Sequence, residues 1–355
     1  MTTRSDNAGG DLQLSLADSP DIYAQKLDLV RSCVLLIRFA ETDYRAASFL
    51  DDRILTPATK GSWMPLDRVA AALRGPATAR PVHYVLHTGH VGSTLVSRLL
   101  DETGRVLSLR EPLPLRTLAE AHDALGLHES LLSEAQFDLL VDVMLKLWGR
   151  GYASTQCTVV KATSSSARVV PALLRRSASS RAIYLNLRAE PYLATLLAGP
   201  NSWQDLRGHG TERMRRLHSK IAAPTSPLHA LSRGELAAMS WLVESLTQQE
   251  VLDQFAPRVI AVDFDALLAD ASGTMGLILG HFCLPNDLDR LAQLAASPVL
   301  ARYSKAPEHA FTPAVRAELL DAARREHRDE IGRGLRWIEA LARVDPSVAR
   351  VTGAS

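Results

Sequence analysis

The segment His83-Tyr84-Val85-Leu86-His87-Thr88-Gly89-His90-Val91-Gly92-Ser93-Thr94-Leu95 constrains the fold more than any other part of the chain. Val82–Leu86 is an apolar run of strand length, and from Ser93 to Leu100 the apolar residues Leu95, Val96, Leu99 and Leu100 fall on one helical face. A buried strand therefore runs into a glycine loop that opens a helix. Such a loop turns successive backbone N–H groups inward, and the helix N-terminus adds partial positive charge, so the pair can hold a phosphate. Gly89 and Gly92 supply the unusual backbone angles, and Ser93 and Thr94 offer hydroxyl donors. An ordinary strand-to-helix turn with an N-capping serine fits the same residues, and both readings stay open on this segment alone.

The loop is not a Walker A motif, which needs a glycine, four residues and then Gly-Lys-Ser/Thr, with the lysine on the terminal phosphates and the hydroxyl on Mg²⁺. Here His87 stands where the first glycine belongs, and Gly92 leads directly into Ser93-Thr94 without a lysine. The loop suits a nucleotide whose transferred group is not a metal-bridged γ-phosphate.

A strand-then-helix rhythm continues through Val106–Leu109, Cys157–Val160, Ala182–Leu187 and Val259–Phe264 as strands. Helices are expected over Glu134–Trp148, Arg168–Arg176, from Pro191, over Gly210–Phe255 and through the C-terminal third. The pattern implies an α/β fold, a parallel sheet of about five strands flanked by helices on both faces. Residues 1–10 read as disordered. From Asp21 to Leu73 the apolar positions Leu27, Leu29, Val30, Val34, Leu35, Leu36 and Phe39 suggest short helical patterns in a packed N-terminal element, and Gly75–Pro81 reads as a linker. The expected division is an N-terminal extension over residues 1–78, packed on a main α/β domain over 79–355.

Composition narrows the function classes. Of the 355 residues 46% are hydrophobic, enough for a substantial core, while aromatics at 5% offer few platforms for stacking on single-stranded nucleic acid. The net charge is +1 without a Lys/Arg block, so no nucleic-acid partner is expected. The polar start lacks the layout of a signal peptide, and no apolar run reaches bilayer length. Cys33, Cys157 and Cys283 are widely spaced and lack metal-ligand spacing. A cytoplasmic location, no membrane partner and no metal are the expectations. A homodimer stays open, because nothing here reads out oligomeric state.

With Gly-x-x-Gly-Ser-Thr-Leu-x-x-Arg-Leu-Leu after a strand, the chain resembles bacterial and Golgi-type sulfotransferases, whose 5′-phosphosulfate loop has this form. The resemblance implies a P-loop NTPase-like sulfotransferase fold. It implies 3′-phosphoadenylyl sulfate as co-substrate, adenosine 3′,5′-bisphosphate as product, no metal, and a small-molecule acceptor. In these terms Gly89, His90, Val91, Gly92, Ser93 and Thr94 cradle the donor, with His90 where the family usually has Arg or Lys. Arg188, ending the fourth strand, and Thr195, seven residues on, match the arginine and hydroxyl that hold the donor's 3′-phosphate, one residue closer together than the family usually sets them. Val259–Leu268 resembles a later structural strand, with no catalytic role for Asp263 or Asp265. Tyr303-Ser304-Lys305 resembles a segment that folds over the donor, giving Ser304 and Lys305 as donor contacts. The matching segments span about residues 82–310, most of the chain but not the N-terminal element.

Sulfuryl transfer to a hydroxyl needs a base, positive charge for the leaving phosphate and in-line positioning. Glu111, in Leu109-Arg110-Glu111-Pro112, stands where members of this branch place a catalytic glutamate. Lys161 ends the third strand, where a lysine of the Golgi-type relatives contacts the transferring group. His90 is the candidate acid for the leaving group. A surface Glu111 paired with Arg110 or Arg116 fits the sequence equally, and Arg110 and Arg116 are candidates for binding acceptor anions. His83 and His87 read as packing groups. Two other functions remain in view. A small-molecule kinase would share the fold but lacks the loop lysine. A non-catalytic nucleotide-binding protein derived from a sulfotransferase would account for His90 and the close Arg188–Thr195 spacing.

Overall fold

The computed structural model describes residues 16–17, 19–74, 80–302 and 312–353. The start expected to be disordered, most of the expected linker, and Ser304 and Lys305 lie outside the described residues. Among those residues the strands form two sheets. The main sheet is five-stranded, in the order β5-β6-β4-β7-β8, from β4 (Val82–His87), β5 (Val106–Arg110), β6 (Cys157–Lys161), β7 (Ala182–Asn186) and β8 (Val259–Asp263). All its pairings are parallel. The expected α/β architecture is the one found.

Alternation along these strands divides the interior into two cores. Tyr84, Leu86, Leu107, Leu109, Val160 and Tyr184 face one way, toward the helices Leu113–Ala124, Glu134–Trp148 and Val170–Arg176. Val85, Val106, Val159, Ile183 and Leu185 face the other, toward Ser93–Glu102, Ala189–Ala198, Arg233–Phe255 and the C-terminal helices. A sheet covered on both faces explains why its strands read as near-continuous apolar runs.

The N-terminal element departs from expectation. Its apolar positions build β1 (Ile22–Asp28) and β2 (Cys33–Arg38), which pair antiparallel and are joined by β3 (Gly61–Pro65). Val34 and Leu36 are buried two residues apart, a strand period, whereas Val30 is 82% exposed in the connecting turn. Clustered apolar residues across that turn imitate a helical face. Arg150 fastens this sheet to the main unit, donating to the carbonyls of Leu16, Ser19 and Ile22.

The long helical region expected over about Gly210–Phe255 comprises two α-helices, Gly210–His218 and Arg233–Phe255. Pro224 and Pro227 fall in the break, and Ser232 and Glu235 form a capping box that restarts the second helix. β8 ends at Asp263, one residue early, because its carboxylate accepts from Ala266 N at 2.8 Å and starts the next helix.

Topology fixes where a ligand can sit. The helices leaving β4 and β7 pack on the same face, but one leads toward β5 at one edge and the other toward β8 at the opposite edge. The chain therefore parts between β4 and β7, and open α/β sheets bind ligands at such a point, beyond the carboxyl ends of the strands.

Candidate active site

The glycine loop lies at that point, at the end of the central strand β4. Three of its residues have left-handed backbone: Gly89 at φ 105°, His90 at 54° and Gly92 at 70°. Gly92 is the N-cap of the Ser93–Glu102 helix, whose first N–H groups have no carbonyl to bond within the helix. A side chain at Gly92 would overlap the Phe264 ring, and one at Gly89 would press on the Tyr192 hydroxyl at 3.2 Å. Glycine is required at Gly92 by angle and by space, and at Gly89 by angle. His90 takes the same angle at a cost, with its exposed ring edge-on to Tyr192 at 6.3 Å.

The loop forms one end of a cavity of about 440 Å³, a volume typical of small-molecule sites. His90, Val91, Gly92, Ser93 and Thr94 line it, with Thr195 from the Ala189–Ala198 helix and Phe264, Leu268, Leu300 and Leu319 as apolar walls. Thr94 Oγ1 is buried and has no hydrogen-bond partner. A buried hydroxyl with no partner is uncommon in a folded protein, and here it belongs to a side chain of the cavity wall. Arg302 and Arg316 add positive charge from elements that the sequence reading left out of the site. Arg316 is held by Asp265 at 2.9 Å and lies 5.2 Å from the Phe264 ring. Both arginines stand more than a hundred residues beyond Thr195, and only the folding of the C-terminal segment across the loop brings them to it.

Arg188 and Thr195 part company. Thr195 lines the loop cavity, and its hydroxyl donates to Pro191 O at 2.8 Å. Arg188, exposed at the start of the same helix, lines a separate cavity of about 860 Å³ together with Trp241, Gln248 and Arg343.

The other candidates end the strands on the far side of β4. Arg110 and Lys161 are paired in register across β5 and β6, and Glu111 N donates to Lys161 O at 2.7 Å. Glu111 is left-handed at φ 53°, with Pro112 fixing the chain behind it. Lys161 Nζ forms an ion pair with Glu111 Oε1, the lysine side chain 1% exposed and the glutamate side chain 11%. Glu111 is therefore not a surface residue paired with Arg110 or Arg116. Arg110 is also corrected as an anion-binding candidate. It is buried and donates to the carbonyls of Tyr44 and Ala47 and to Asp101, and burial lowers its guanidinium to about 9. Arg116 stays half-buried near the same corner.

Of the histidines of β4, His83 packs in the fold and His87 also lines the loop cavity. His83 stacks on Phe282 at 4.8 Å and accepts from Arg181 N at 3.1 Å; His87 Nε2 lies 2.8 Å from Ala162 O. Among the described residues no group of three or more His, Cys, Asp or Glu side chains is arranged to hold a metal ion. No helix among them is long and apolar enough to cross a membrane.

No family model matches the chain, and no curated protein matches it. Solved structures do. The sulfotransferase domain from the curacin biosynthetic pathway is 16% identical at a TM-score of 0.38, over 74% of this chain and 98% of that one. Sulfotransferase STF9 from Mycobacterium avium is 13% identical at a TM-score of 0.40, over 92% of this chain and 98% of that one. The sulfotransferase domain from the Synechococcus PCC 7002 olefin synthase is 15% identical at a TM-score of 0.36, over 70% and 97%.

Proposed function

We propose that the protein is a sulfotransferase that moves a sulfuryl group from 3′-phosphoadenylyl sulfate to a hydroxyl or amine of a small acceptor, without a metal. The observation that carries this reading is the unpartnered Thr94 hydroxyl in a glycine loop that lacks the lysine of a kinase. A phosphate oxygen would satisfy that hydroxyl and the first N–H groups of the helix together. Arg302 and Arg316 would add positive charge around the donor's anionic groups, with His90 and Thr195 beside them.

The buried Lys161–Glu111 pair supports the chemistry. Glu111 would take the acceptor proton as the acceptor oxygen or nitrogen bonds to sulfur. The bond from sulfur to the phosphate oxygen breaks, and its electron pair leaves with adenosine 3′,5′-bisphosphate. Lys161 would offset charge on the transferring group, and in a corner closed to water that effect is larger than at the surface.

Thermal unfolding with added nucleotide tests the reading. Adenosine 3′,5′-bisphosphate should raise the melting temperature clearly more than AMP or ATP does, through linkage of ligand to the native state. Equal stabilisation by ATP with Mg²⁺ would favour a kinase instead.

A further inference from the structure

The segment Tyr44–Arg53, which follows β2, lies against the carboxyl ends of β5 and β6 and brackets Glu111. Leu50 N donates to Arg110 O at 2.7 Å, and Leu113 N donates back to Leu50 O at 3.4 Å. These bonds hold the chain on either side of the left-handed glutamate. The segment is itself fixed from several directions. Arg110 donates to the carbonyls of Tyr44 and Ala47, Arg98 donates to Ser48 Oγ at 2.9 Å, and the Tyr23 hydroxyl donates to Leu50 O at 3.1 Å. Between these anchors stands Phe49. Its ring centre is 6.0 Å from Lys161 Nζ and 3.6 Å from Arg53 Cζ, and Asp51 holds that guanidinium through two bonds of 2.8 and 2.6 Å.

An aromatic face near an ammonium favours its charged form, and the effect is largest where water is excluded. A leucine of similar bulk would close the corner without supplying that face. We propose that Phe49 is a positioning residue for the Lys161–Glu111 pair, which makes the N-terminal unit a working part of the site. Phe49 acts through Lys161: its ring lies over the ammonium and helps direct it at Glu111. The inference concerns the geometry of the pair, and its catalytic consequence rests on the sulfotransferase reading.

Labelling of Lys161 separates the two. The full-length protein, Phe49→Leu and Phe49→Tyr are treated with acetic anhydride across the lysine titration range, and modification of Lys161 is read by peptide mass spectrometry. Lys161 should label about fivefold faster in Phe49→Leu, where no aromatic face holds the ammonium against Glu111, and at the wild-type rate in Phe49→Tyr, which keeps that face. Should Phe49→Leu fail to fold, Phe49→Met carries the same comparison. Equal labelling in the aliphatic variant and wild type would overturn the proposal. With turnover as a second readout, Phe49→Leu should lower kcat several-fold and leave the donor KM within about twofold, and Phe49→Tyr should restore kcat. A wild-type protein that never turns over the donor would sink the sulfotransferase reading and leave the labelling result to decide this one.

Discussion

Glu111 and Lys161 end adjacent parallel strands and meet as an ion pair almost closed to solvent. Removing one partner of such a pair leaves a charge in a dry site, a loss of about 3–5 kcal/mol, whereas removing both costs less. Lys161→Met should therefore destabilise the fold more than the double variant Lys161→Met/Glu111→Gln. Urea unfolding of the two singles and the double gives the coupling directly. A coupling near zero would mean that the two groups do not interact in solution.

Gly92 carries two demands at once, a left-handed angle and contact with Phe264. Gly92→Ala should cost about 1–3 kcal/mol of stability, as overpacking does. It should also remove binding of adenosine 3′,5′-bisphosphate, because the loop cannot keep its shape. Gly104, at φ 68° with open space around it, is the control. Gly104→Ala should lose only the strain of the angle and leave nucleotide binding intact in a titration.

Thr94 should behave in the opposite way. Its hydroxyl is buried without a partner, so Thr94→Val removes an unsatisfied group and should leave the free protein as stable as wild type or slightly more so. The same change removes a donor to the phosphate, and affinity for adenosine 3′,5′-bisphosphate should fall about tenfold, the worth of one hydrogen bond to a charged group. Calorimetric titration of both proteins measures it. Unchanged affinity would place the nucleotide elsewhere.

His83 makes the fold sensitive to acid. Burial, with smaller contributions from Arg181 and His281, pushes its imidazole from an ordinary 6.5 down to about 4. The unfolded chain therefore takes up a proton that the folded protein refuses. This contribution is fully present above about pH 6.5 and is lost as pH falls toward 4, by about 3 kcal/mol across the window. His83→Gln should flatten the melting temperature over that range. A wild-type melting temperature that does not change between those limits would contradict the assignment.

The main sheet was legible because its strands are buried on both faces and so stand out as short apolar runs between helical patterns. The N-terminal sheet was not. β1 is almost wholly buried yet carries Gln25, Lys26 and Asp28, and Leu29 and Val30 place apolar residues in the turn before β2. The glycine loop could be read from its spacing, since only glycine suits Gly89 and Gly92. The apolar strand end pointed to Lys161 and the resemblance to Glu111, but no sequence pattern joins two residues fifty apart into one ion pair. Arg302 stands next to the Tyr303-Ser304-Lys305 segment read as folding over the donor, but Arg316, in a stretch that reads only as helix, gave no local signal. Arg188 and Thr195 show the limit of spacing along one helix: the segment is where it was expected, yet the two side chains line different cavities.

Whether Glu111 takes the acceptor proton during sulfuryl transfer is read from turnover of 3′-phosphoadenylyl sulfate by wild type and Glu111→Gln. Release of adenosine 3′,5′-bisphosphate is followed with a panel of hydroxyl and amine acceptors, or by slow hydrolysis where none is accepted. Wild type should turn the donor over without added metal. Glu111→Gln, which keeps the shape of the side chain but cannot take the proton, should bind the donor as tightly and turn it over about 10²–10⁴-fold more slowly. Glu111→Gln working at the wild-type rate would mean that another group takes the proton.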